Sequence, residues 1–351
     1  MRVLVTGGAG FVGSHVVDAL VEAGHQVTVL DRRPRLPAGP AGIDWVQGDV
    51  GDPDAWTAAL AGGADAVCHQ AAKVGLGVDF GDVRDYVADN DAGTAAGLWA
   101  LHHAGFTGRL VLASSMVVYG EGRYRCVEHD QVRPEPRAVT DLEAGRWEPT
   151  CPLCGRSLDW VAVPEEAPLE PANVYAATKV HQEHLCQVFG RSHDLPVTML
   201  RYHNVYGPRM PRDTPYAGVA ALFCDALLAG RSPLVFEDGG QRRDFVHVGD
   251  VARANLAALT ADSPLDGAAN VASGDPRTVG EMADALADAF GGGGGGGPDA
   301  PRPQVVGGYR LGDVRHIVAS PQRADHRLGF KAEVPFSDGM AELAELAGRD
   351  D

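Results

Sequence analysis

The sequence predicts an α/β fold: a doubly wound parallel sheet, joined by a smaller C-terminal α/β unit and interrupted by an inserted module. Three observations carry that prediction. Over the first ninety residues, short apolar strands alternate with Ala-rich amphipathic stretches, as in a parallel sheet with helices on both faces. Glycines at positions 7, 10 and 13 follow the first strand directly. Between Glu121 and Val163 the alternation stops, in a Pro-containing segment that holds three of the six cysteines.

Taken in order, Arg2 to Thr6, Gln26 to Leu30, Asp44 to Gln47 and Ala66 to His69 read as strands, and Gly13 to Ala23 and Asp54 to Ala61 as helices. A helix near Val83 to His103, a strand at Arg109 to Ala113, a helix near Val174 to Arg191 and a strand at Val197 to Tyr202 continue the pattern. This divides the chain into a nucleotide-binding unit over 1–203, returning at about 244–272, and a second unit over 204–243 and 273–351. The insertion occupies 121–163. Seven consecutive glycines from Gly291 to Gly297 predict a mobile loop. With 351 residues, 45% hydrophobic and 22% charged, the chain can bury a sizeable core. Its net charge of -17 argues against a nucleic-acid partner, which needs clustered Lys and Arg. No run of 18 apolar residues and no signal-like start is found, so a soluble, cytoplasmic protein without a membrane partner is expected.

Gly7, Gly10, Phe11, Val12 and Gly13 lie between the first strand and the first helix. Glycines there allow a tight turn and close backbone approach, and the helix start offers unpaired N–H groups to a pyrophosphate. This is the fingerprint of a Rossmann dinucleotide site. Asp31, at the end of the second strand, is placed to bind ribose hydroxyls and repel a 2′-phosphate, which favours NAD over NADP. Arg32 and Arg33 follow it and could accommodate a phosphate. Asp49 and Val50 end the third strand, where Asp49 either meets the adenine or caps a turn before Pro53. Ala71 and Ala72, beyond the fourth strand, complete the expected cofactor contacts.

Ser115 ends a strand, and Tyr175 and Lys179 lie four apart at the start of a helix, so they share one face. A Tyr with an ordinary pKa near 10 is a poor base at neutral pH. A nearby Lys and a positive nicotinamide would favour phenolate, while a Ser hydroxyl could hold the substrate oxygen. A Tyr–Lys pair alone is commonly a surface pair, but here it follows a nucleotide signature and a strand-terminal Ser.

In this combination the sequence resembles the extended short-chain dehydrogenase/reductase family, specifically its NAD-dependent nucleotide-sugar epimerases and dehydratases. The resemblance implies that Ser115, Tyr175 and Lys179 are the catalytic triad and that Asn90 supports the cofactor site. It implies sugar-nucleotide contacts from His203 and Asn204, from Arg243, and from Arg310 and Asp313 near the C-terminus, although Arg243 and Arg310 could instead form surface ion pairs. Lys73 and Met116 are expected in the sugar pocket, with the remainder of 73–79 and the 209–217 loop. Lys73 could equally meet the cofactor or solvent. Where the family's dehydratases place an Asp-Glu pair, this chain has Met116 and Val117, and neither can transfer a proton. The resemblance therefore implies C4 epimerisation through a 4-keto sugar. The insertion and the 205–219 region look like the bacterial dTDP-L-rhamnose 4-epimerase subgroup, with UDP-glucose/galactose or UDP-glucuronate 4-epimerases as close alternatives. A net reductase or dehydratase, and a non-catalytic NAD-sensing protein, are the other readings. The family also implies a homodimer that packs the 83–103 and 174–191 helices together.

Cys126-x2-His129 and Cys151-x2-Cys154 form two knuckles with the spacing of a zinc ribbon. Four protein ligands leave no open position, so the expected Zn2+ is structural, and it would add folding energy to a segment with little apolar material. Free thiols or a redox pair are the alternatives. Cys68, Cys186 and Cys224 lie in apolar patterns and are expected in the core.

Overall fold

Strands buried on both sides and joined by long connections are what an all-parallel sheet requires. In the computed structural model, which describes residues 1–35, 40–75, 80–212, 218–291 and 300–348, the chain opens with β1 Arg2–Thr6, α1 Phe11–Glu22, β2 Gln26–Asp31, β3 Asp44–Gln47, α2 Pro53–Leu60 and β4 Ala66–His69. There follow α3 Val83–Tyr86, a π-helical turn Val87–Ala92, α4 Gly93–His103 and β5 Arg109–Ser115. The insertion contributes β6 Arg123–Cys126, β7 Asp130–Val132, α5 Val139–Glu143 and β8 Asp159–Val161. Then come α6 Val174–His193, β9 Val197–Tyr202, β10 Asn204–Tyr206, α7 Val219–Leu228, β11 Leu234–Val235, β12 Arg242–Arg243, β13 Phe245–His247, α8 Val248–Thr260 and β14 Gly267–Val271. The chain closes with β15 Arg277–Thr278, α9 Val279–Ala289, β16 Gln304–Val305, β17 His316–Ile317, α10 Gln322–Leu328 and α11 Phe336–Ala347.

The main sheet has seven strands in the order β14-β9-β5-β4-β1-β2-β3, all parallel. The order reverses between β1 and β4, and ligands of such sheets bind at that switch point, beyond the carboxyl ends of the strands. One face packs α1, α8 and α10 through Val16, Leu20, Val251, Leu259 and Ala324. The other packs α2, α4 and α6 through Trp56, Leu101, Cys186 and Phe189. A separate core joins α7, α9 and α11 through Phe223, Met282, Leu286 and Leu343. Cys68, Cys186 and Cys224 are buried. Among the described residues no helix is long and apolar enough to cross a membrane.

One expectation, the single helix over 83–103, needs correction. The helix expected over 83–103 is interrupted by the π turn, within which Asn90 faces inward and bonds to two other segments. The insertion, which shows no long periodic segment, nevertheless folds as a three-stranded antiparallel sheet ordered β7-β6-β8, on a small core of Tyr124, Cys126, Cys151 and Leu158. Its strands are three or four residues long, too short for alternation to be read. Residues 76–79, 213–217 and 292–297, which hold parts of the expected sugar pocket and the glycine run, lie outside the described residues.

Candidate active site

The cofactor end is built by the loops after β1 and β4. Gly7 has φ +71°, and a side chain there would stand 2.7 Å from the Ala71 nitrogen, so only glycine lets these loops close together. Gly10 precedes α1 with no side-chain cap. The first N–H groups of the helix, at Phe11, Val12 and Gly13, are therefore available to an anion. The Asp31 carboxylate accepts from the Ala9 nitrogen at 2.8 Å and the Arg33 nitrogen at 2.9 Å, so it fixes the glycine loop as well as facing the site. Arg32 turns away to Asp89 at 2.8 Å. Asp49 accepts from the Gly51 nitrogen at 2.8 Å, the turn-capping arrangement, and Val50 accepts from the Trp56 indole at 2.8 Å. Ala72, like Ala71, is half-buried beyond β4. Asn90 is fully buried: its oxygen accepts from the Lys73 nitrogen at 2.7 Å, and its amide donates to the Lys73 carbonyl at 3.0 Å and the Thr178 hydroxyl at 2.9 Å. It ties the loop after β4 to α6.

Asn173 caps α6 by accepting from the Ala176 nitrogen at 2.9 Å, which starts the helix one residue before Tyr175. Burial pushes the pKa of Tyr175 up to about 12, and the neighbouring Ser115 hydroxyl pulls it the other way. Lys179 is buried, donates to the Ala113 carbonyl at 2.8 Å, and stands 6.0 Å from the Tyr175 ring centre. Burial brings its pKa down to about 8. Ser115, Tyr175 and Lys179 are thus brought together, with Tyr175 held as a neutral phenol until further positive charge arrives.

At the substrate end, Met116 is half-buried in the turn after Ser115. The Asn204 side-chain oxygen is buried without a partner among the described residues. His203 is buried, and desolvation lowers its pKa to about 3, so it is neutral. Lys73 pairs with Asp85 at 2.8 Å and lies 5.2 Å from the Tyr86 ring centre; Tyr86 is in turn 6.0 Å from the Tyr175 ring. Arg243 is buried and pairs with Asp313 at 3.2 Å. Arg310 is exposed over the Phe236 ring at 5.5 Å, so the two arginines differ in setting.

Sequence reasoning missed a charged group beside them. Glu121 has a buried carboxylate oxygen with no partner among the described residues; burial raises its pKa, against the pull of Arg137 and Arg243. Arg137, Glu148, Glu237 and Arg315 also meet here. Single Arg and Glu residues spread between Glu121 and Arg315 give no local pattern to find.

In the insertion, the ligand atoms of Cys126, His129, Cys151 and Cys154 lie within 4.8 Å of one another. Cys126 Sγ is 3.6 Å from His129 Nδ1 and 3.7 Å from Cys154 Sγ, and Cys151 Sγ is 3.6 Å from His129 Nδ1. A tetrahedron with metal–sulfur bonds of ~2.3 Å has edges of about 3.8 Å, so the quartet fits a metal ion with little movement.

Comparison with known proteins identifies the family and the fold. The profile of the NAD dependent epimerase/dehydratase family matches residues 3–139 and 155–272. A dTDP-L-rhamnose 4-epimerase of Burkholderia thailandensis is 31% identical, over 97% of this chain and 93% of its own length. The structure of Thermus thermophilus UDP-glucose 4-epimerase, complexed with NAD, is 31% identical and superposes with a TM-score of 0.74, covering 99% of each chain. That of the Thermotoga maritima UDP-glucose 4-epimerase, with UDP-glucose, is 27% identical with a TM-score of 0.79, covering 100% of this chain and 99% of that one.

Proposed function

Because the chain belongs to the NAD dependent epimerase/dehydratase family, we propose that it is a nucleotide-sugar 4-epimerase, with dTDP-L-rhamnose or a related 6-deoxyhexose as its substrate. The observation that carries this reading is the grouping of Ser115, Tyr175 and Lys179 next to Met116 and Val117, which offer no second acid or base. The residues around the glycine loop fit NAD, since the α1 N-terminus is uncapped and Asp31 closes the ribose side. Bound NAD supplies a hydride acceptor and donor and a positive charge. Ser115 holds the sugar O4. Tyr175 takes the O4 proton and later returns it, and the ammonium of Lys179 together with the cofactor's charge lowers the cost of the phenolate. Because the sugar is oxidised and then reduced, it must present its opposite face in between, while its diphosphate stays bound near Asn204 and Arg243 and its nucleotide is clamped by Arg310 and Asp313. UDP-glucose and UDP-glucuronate are the competing substrates. Incubation with UDP- and dTDP-sugars, followed by NMR of the axial and equatorial H4 signals, tests the reading; no exchange with any of them, in NAD-loaded protein, overturns it.

The 3.6–3.7 Å spacing of the Cys/His quartet supports a structural Zn2+ held by Cys126, His129, Cys151 and Cys154. Elemental analysis of untagged protein should give about one zinc per chain, and a ratio near zero would reject the site. Exposed Trp99 and Val188, on α4 and α6, support a homodimer formed through these helices.

A further inference from the structure

The insertion holds one short segment of the second unit from several sides. Arg137 donates to the Asp313 carbonyl at 2.8 Å and pairs with Glu237 at 2.8 Å. Glu148 accepts from Arg315 at 2.6 and 2.8 Å and meets His316 at 2.8 Å. The Tyr124 hydroxyl accepts from the His316 nitrogen at 3.1 Å. From the other side, Arg243 donates to the Val314 carbonyl at 2.7 Å and the Arg315 carbonyl at 3.0 Å, and pairs with Asp313. Residues 313–316 are therefore clamped between the insertion and Arg243.

The centre of this arrangement is unusual. Glu237 is buried and its backbone has φ +52°, a left-handed conformation that costs a side-chain-bearing residue about 1 kcal/mol. Its carboxylate is shared by Arg137 and Arg315, both at 2.8 Å, and all three side chains are at most 5% exposed. A strained residue bearing a buried charge persists only where its surroundings over-determine it. Its position explains how: Glu237 lies between Phe236, which faces Arg310, and the strand that carries Arg243.

We propose that Arg137 and Glu148 of the insertion are positioning residues for the nucleotide diphosphate: through Glu237 and residues 313–316, with Asp313 paired to Arg243, they fix the guanidinium of Arg243 that meets it. This rests on the nucleotide-sugar reading above. It predicts that the insertion governs ground-state binding and leaves the chemical step at Ser115 and Tyr175 untouched.

The test is titration of UDP and of dTDP into NAD-loaded wild-type, Arg137→Ala and Glu148→Gln proteins, with NAD and zinc contents and kcat and KM measured alongside. Arg137→Ala should weaken the preferred nucleoside diphosphate about tenfold or more and raise KM in parallel, with kcat and NAD content within twofold of wild type. Glu148→Gln should act in the same direction and more weakly. Since Arg137→Ala leaves Glu237 with one partner fewer and could impair folding, the paired variant Arg137→Met with Glu237→Gln removes both charges and should show the same loss. Affinity within twofold of wild type in the folded variants overturns the proposal, as does a loss in kcat with KM unchanged. A wild-type protein that binds neither UDP nor dTDP overturns the nucleotide-sugar reading, and this proposal with it.

Discussion

Lys179 is buried where its charge is disfavoured, and that has a measurable sign. Its pKa falls to about 8 from an ordinary 10.5, so at pH 7 holding it charged opposes folding by up to ~3 kcal/mol. As pH rises from 8 towards 10.5, the folded protein loses this proton before the unfolded chain does, and the penalty disappears. Lys179→Met should therefore be more stable than wild type by about 1 to 3 kcal/mol at pH 7, with the difference shrinking over that interval. Denaturant titrations at pH 7 and pH 10 would show it, while turnover should fall sharply. Tyr175→Phe should lower kcat by about 10² to 10⁴ and leave NAD content unchanged. These residues were legible in the sequence because a four-residue helical spacing and a strand-terminal Ser are local patterns. Glu121 and Arg137 were not, since their roles come from partners far along the chain. Asp31 was found by position, but its bond to the Ala9 nitrogen could not be read before the loop was folded.

The glycine loop shows how an element is fixed by what it lacks. A Cβ on Gly13 would strike the Gly7 carbonyl, so Gly13→Ala should displace the start of α1. We expect a loss of about 1 to 3 kcal/mol in stability and NAD-free protein on purification, read by absorbance of the released cofactor. Six of the seven strands of the sheet, and the helices between them, were readable from their periodicity, with termini within a few residues; β14 and α8 were not assigned as elements. The π turn was not, because its extra residue serves the Asn90 bonds to Lys73 and Thr178 and leaves the apolar pattern unbroken. Within the insertion the Cys and His spacing was legible, whereas its short strands had to be seen.

At the scale of the molecule, α4 and α6 present Trp99, 50% exposed, and Val188, 54% exposed. Trp99 stacks on His103 with ring centres 4.1 Å apart. Trp99→Glu should convert the proposed dimer to a monomer in sedimentation experiments; a wild-type protein that sediments as a monomer would reject the dimer. The alanines of this stretch divide between the two sides: Ala92 and Ala95 are exposed, while Ala100 is buried in the core under the sheet. The insertion has a last consequence for how the site assembles. Ser115 and Tyr175 must meet across about sixty residues of chain, a closure whose entropy grows with length. Pairing of Arg123 with Val161 in the insertion's sheet shortens the remaining loop to about twenty residues, which reduces that entropy cost by ~1 kcal/mol. Folding of the insertion before Ser115 and Tyr175 converge would thus make it a splint for the site, and with the proposed zinc bound, metal supply during synthesis would set how quickly that site assembles.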